Sequence, residues 1–249
     1  MIKRLLALLM VLSALALALP CLGESEGESA AWDEAEAVQP TPRDEFIDAI
    51  IEAGRQVYEK ADGKWQRAHK KGDIYICKNF TVHVFKQAAP AFRMAEYPKV
   101  SLVIPNNMPA DKCRPYGKGY CWEDVKPEKG NPFEMAAQFK YDDKLTKEEN
   151  MEKALAFMRQ VQKGDFFQMN ANYQWGTGPH SAIMIADYDP DTDTVHWMDS
   201  NMITKKTNGI NYGKVQFNAE KDVAWWAEAF CSSKHGATIY RLRDDIIRK

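Results

Sequence analysis

Apolar positions Phe46, Ile47, Ile50, Ile51 and Val57 recur at a spacing close to 3.6 residues, which predicts a helix. Thr41 is placed to cap it, Pro42 suits its first position, and Asp44 and Glu45 favour the positive end of its dipole. The pattern fades at Ala61-Asp62-Gly63. A polar stretch, Lys64 to Asp73, leads into Ile74-Tyr75-Ile76-Cys77. From there to about Ala89 a second helix is predicted, with Phe80, Val84 and Phe85 on one face. Residues 90 to about 145 are punctuated by prolines 90, 98, 105, 109, 115, 127 and 132, and read as an irregular insert. A short helix follows from Thr146 to about Gln162, with Glu149 completing a capping box.

Beyond it the period changes to two. Phe166 to Met169, Ser181 to Tyr188, Thr194 to Met198, Val215 to Phe217 and Thr238 to Leu242 read as strands. The turn at Asp189-Pro190-Asp191-Thr192-Asp193 joins the second and third into a hairpin. Trp225 and Trp226 fall in a short helix or turn. Helices first and an antiparallel sheet afterwards indicate an α+β fold with the N-terminal helices packed on the sheet.

Composition narrows the picture. The chain has 249 residues, 45% hydrophobic and 27% charged, as in ordinary globular proteins. Its formal charge of −2 lacks the basic excess of a protein that grips phosphates, so nucleic acid is not an expected partner. Lys3 and Arg4 precede an apolar run from Leu5 to Leu19, and Cys21 and Gly23 supply small residues at −3 and −1. Residues 1–23 therefore read as a signal peptide cleaved after Gly23. Pro20 stands where lipoprotein sites carry a small residue, which argues against a lipid anchor at Cys21. No later run is long enough to span a bilayer. Residues 24–41 hold six acidic and no basic residues and read as an acidic linker, with Trp32 free to dock on a domain at 42–249. The expectation is a protein that is secreted or held in the cell envelope.

Export places Cys77, Cys113, Cys121 and Cys231 in an oxidising setting. Cys113 and Cys121 bracket a short, turn-rich loop and are expected to pair, leaving Cys231 a buried unpaired thiol; the rival reading is a disulfide-rich extracellular domain in which Cys77 pairs with Cys231. Neither the cysteines nor the histidines at 69, 83, 180, 196 and 235 show zinc-ligand spacing, and no nucleotide-binding loop occurs. No cofactor is expected.

Cys77 opens the second predicted helix, where the positive end of the dipole favours thiolate, the nucleophilic form of cysteine. His180 follows Gly176-Thr177-Gly178-Pro179 and opens a strand, a rigid support from which a side chain can enter a cleft. Asp199 and Asn201 end the neighbouring strand, and alternation puts them on one face. Either could hold one ring nitrogen of His180 and fix its tautomer.

Taken together, Cys77-Lys78-Asn79-Phe80, Gly164-Asp165-Phe166-Phe167, Pro179 to Ile185 and Asp199-Ser200-Asn201 resemble, in order and spacing, the papain-like NlpC/P60 and CHAP amidases and endopeptidases of bacterial cell walls. The CHAP branch is closer, because its third motif reads Glu-Ser-Asn. Ile76 and Lys78 stand where the family usually has small residues around the cysteine, and the insert at 90–145 lies outside the pattern. The resemblance implies a papain-like core and hydrolysis of amide bonds in peptidoglycan or peptides. It implies Cys77 as nucleophile, His180 as proton carrier and Asp199, ahead of Asn201, as orienter. The Cys77 backbone N–H would hold the oxyanion, with Tyr58 or Tyr75 as a further donor. The competing functional class is an inactive binding module on the same fold, presenting Tyr116, Tyr120, Trp122 and Trp175 to a wall fragment or partner protein.

Overall fold

The computed structural model describes residues 39–68, 73–105, 122–170, 178–204 and 209–249. The leader, most of the acidic linker with Trp32, the Cys113–Cys121 loop with Tyr116 and Tyr120, and Trp175 lie outside them. Helix α1 spans Pro42–Ala61 and is closed by a reciprocal capping box between Thr41 and Asp44. A three-residue strand, β1 (Gln66–Ala68), precedes α2 (Cys77–Ala88). Strands β2 (Phe92–Met94) and β3 (Phe133–Lys140) lead to α3 (Lys147–Met158), capped by Thr146 and Glu149. Then come β4 (Phe166–Met169), β5 (His180–Met184), β6 (Thr194–Thr204) and β7 (Asn211–Asp222). Helix α4 (Val223–Ser233), β8 (Gly236–Leu242) and β9 (Ile246–Arg248) complete the order.

The main sheet runs β1-β7-β6-β5-β4-β8-β3, its neighbours antiparallel, and β2 pairs with β9 in a small second sheet. This is an α+β fold. Strand alternation divides the core in two. Phe166, Ile183, Met198 and Val215 face α1 and α2, whereas Phe167, Ala182, Met184 and Trp197 face α3 and α4. Contact between α1 and β6 is close: a Cβ on Gly54 would lie 2.1 Å from the Met198 sulfur. Among the described residues no helix is long and apolar enough to cross a membrane.

Three expectations need correction. The stretch 90–145 is not all irregular: β3 adds an edge strand through β8, and Trp122 is 2% exposed with its ring stacked 4.7 Å from Tyr240. Trp122 is thus a core residue, since burying its indole removes a large apolar surface from water. The strand at Thr194 runs on to Thr204, because β7 pairs with it along its length, so Asp199 lies inside the strand rather than at its end. Cys77 and Cys231 are both free; Cys231 is buried on the α3–α4 side of the sheet, which rules out the bridge to α2.

The Gly164-Asp165 pair has a structural reason. Gly164 has φ +86°, and a Cβ there would meet Ile47 at 2.6 Å, so only glycine fits. Asp165 is fully buried and accepts from Nε and Nη2 of Arg241, each at 2.8 Å, and from the Gln162 N–H at 2.7 Å. Burial pushes its carboxyl pKa up, and Arg241 offsets part of that. Asp165→Ala strands the guanidinium and should cost about 3–5 kcal/mol, read as a lower urea midpoint. Asp165→Leu with Arg241→Met should cost less than the single change. Equal midpoints for wild type and Asp165→Ala would contradict this role.

Candidate active site

Helix α2 is placed by the turn before it. Asp73 Oδ1 accepts from the Tyr75 N–H at 3.0 Å. The Tyr75 carbonyl lies where a Cβ on Gly213 of β7 would sit 1.9 Å away, so Gly213 lets this turn rest on the sheet. Thr41, Thr146 and Asp222 cap α1, α3 and α4 with side chains. Helix α2 starts instead behind Ile76, with no side-chain cap and no acidic residue in its first turn. Its first N–H groups and positive dipole end are thus left for Cys77, the first helical residue. Thr81 Oγ donates back to the Cys77 carbonyl at 2.9 Å.

His180 opens β5, next to β6 in the sheet. Its Nε2–H donates to Asp199 Oδ2 at 2.7 Å. Its side chain keeps 16% exposure, while Asp199 is 1% exposed. With Nε2 engaged, Nδ1 is left for the Cys77 thiol, to which His180 is hydrogen-bonded. Asp199 Oδ2 also accepts from Trp197 Nε1 at 3.0 Å, and Oδ1 from Gln216 Nε2 at 3.0 Å. A bulge builds this cradle. Trp197 pairs with Ala219 but Asp199 with Gln216, so β7 carries one extra residue there, and Asn218 takes φ 54°.

Electrostatics favour an ion pair. Burial pushes the Cys77 thiol up, but His180 and the backbone N–H groups of Ser181 and Lys78 outweigh it and leave the pKa below its ordinary value. Burial pushes His180 down, yet Asp199 and Cys77 carry it up to about 10. Both shifts move the pair toward imidazolium facing thiolate.

Searches against family models, curated proteins and solved structures find no match.

Of the four residues singled out in the sequence, the structure brings Cys77, His180 and Asp199 together. Asn201 is exposed on β6 opposite Lys214. Tyr58 is 36% exposed with its ring 6.1 Å from that of Phe217, and Tyr75 packs at the edge of the α1–α2 core. Sequence reasoning missed Trp197 and Gln216. Trp197 was legible in part, since alternation sets it on the face of Asp199. Gln216 reaches Asp199 only because of the bulge.

Proposed function

We propose that this protein is an exported cysteine amidase or endopeptidase with a papain-like core, acting on amide bonds of peptidoglycan or peptides. The observation that carries the reading is the continuous chain from Cys77 through His180 to the buried Asp199. A thiol at an uncapped helix start faces an imidazole whose far nitrogen is held by a carboxylate, the arrangement nucleophilic acyl transfer requires. The short sequence motifs around these residues support the substrate class, and the N-terminal leader, two basic residues before an apolar run, supports the export.

In this mechanism the Cys77 thiolate attacks the amide carbonyl carbon and a carbon–sulfur bond forms. As the carbon–nitrogen bond breaks, His180 gives its Nδ1 proton to the leaving amine. Water then attacks the thioester, His180 takes the water's proton, the carbon–sulfur bond breaks, and the acid departs as the thiolate–imidazolium pair is restored. Asp199 keeps the imidazole in one orientation and compensates the imidazolium charge.

Alkylation tests the ion pair directly. Iodoacetamide at pH 6 should label Cys77 at least tenfold faster than Cys231, whose thiol burial pushes up to about 11. Peptide mapping reads the two sites. Equal labelling, or labelling that begins only above pH 8, would contradict a preformed thiolate.

A further inference from the structure

On the strand paired with the one that His180 opens lies a buried amide that the triad does not use. Gln168 sits on β4 opposite Ser181 of β5 and is fully buried. Ser181 Oγ donates to its Oε1 at 2.6 Å, which fixes the amide plane. Its Nε2 is buried and has no hydrogen-bond partner among the described residues. A buried donor without an acceptor destabilises a fold, and such groups persist where a ligand or a reacting atom completes them.

Gln168 lines a narrow cavity of about 10 Å³ with Ser181, Lys78, Thr81, Val82 and Trp122. That volume is about what one water-sized oxygen needs. Two of its walls, Ser181 and Lys78, are the residues whose backbone N–H groups point at the Cys77 sulfur. The cavity thus shares two wall residues with the surroundings of the Cys77 sulfur and has about the volume of a single oxygen. No acidic side chain is among its described lining residues.

Resting on the cysteine-hydrolase reading, we propose that Gln168 Nε2 is an oxyanion donor. It would hydrogen-bond the carbonyl oxygen of the acyl group as Cys77 adds to it, with Ser181 Oγ as the positioning group that holds the amide. The donor is placed before reaction, and the hydrogen bond strengthens as negative charge develops on that oxygen. The cost of the unpaired amide in the resting protein is then a functional cost.

p-Nitrophenyl acetate tests this without knowledge of the natural substrate. Attack by Cys77 forms a carbon–sulfur bond to the acetyl group, the ester carbon–oxygen bond breaks, and nitrophenolate leaves with the electron pair. Water later returns the thioester to thiol and acetate. Gln168→Met should slow the nitrophenolate burst by a factor on the order of 10². Its rate of Cys77 alkylation by iodoacetamide, which develops no oxyanion, should stay within twofold of wild type. Its Tm should hold or rise, because an apolar side chain of similar shape replaces an unsatisfied donor. Gln168→Glu should be slower still than Gln168→Met, and Ser181→Ala should lose less.

A Gln168→Met burst as fast as wild type overturns the proposal, as does a burst that falls only in step with alkylation. A Tm drop with an unchanged burst also overturns it and assigns Gln168 to fold support. Unmodified wild-type protein that gives no burst, although a parallel sample is alkylated at Cys77 at the expected rate, refutes the hydrolase reading itself, and this inference with it.

Discussion

Cys77→Ala should lower hydrolysis by a factor on the order of 10⁴ or more, because removing the nucleophile of a coupled set removes the covalent route entirely. The fold should survive the change. Cys77 is the first residue of α2, only partly buried, and α2 is held by Phe80, Val84 and Phe85 in the core. Thermal unfolding of the variant should therefore match wild type closely, and any residual turnover should lose its sensitivity to thiol alkylation. A variant that unfolds with wild-type Tm and still hydrolyses at a tenth of the normal rate would remove Cys77 from the mechanism.

The second large effect concerns Asp199. Asp199→Ala should lower kcat by roughly 10²-fold or more and change KM less, since the carboxylate touches the imidazole and not the substrate. It should also move the alkaline limb of the pH–activity profile. In the native site the carboxylate helps carry His180 up to about 10 against burial. The imidazolium, and with it the ion pair, is retained until pH rises toward that value. Without Asp199, burial is opposed by Cys77 alone, so His180 should lose its proton at lower pH and the alkaline limb should shift down. Asp199→Asn keeps an acceptor but removes the charge, and should show the pH shift with a smaller loss of orientation. Stability should fall as well, by about 1–3 kcal/mol in Asp199→Ala, because Trp197 Nε1 and Gln216 Nε2 lose their acceptor. Near-normal kcat in Asp199→Ala beside a crippled Asn201→Ala would reverse the assignment.

Where a residue's role is decided by its own neighbours in the chain, the sequence was legible. Thr41 and Thr146 announced the starts of α1 and α3, because a side-chain cap is a local bond between residues three apart. Cys77 and His180 each open an element and could be placed from the patterns on either side. Other features were hidden because distant partners make them. Strand β3 carries little alternation, with Met135 exposed and a bulge beside it, and it is a strand only because β8 pairs with it. Strand β1 lies within a polar stretch and is held by the far end of the chain's seventh strand. The length of β6 past Met198 is likewise set by β7. In the site, Gln216 and Gln168 gain their meaning from a bulge and from a neighbouring strand. Periodicity within a segment cannot carry either fact.

Mass analysis of peptidoglycan fragments tests the central claim most directly. Purified protein should release fragments that carry new amine and carboxyl ends, each scission adding one water, and Cys77→Ala at equal concentration should release none. Identical fragments from both proteins, or none from unmodified wild-type protein whose Cys77 proves reactive to iodoacetamide at pH 6 in a separate sample, would contradict it.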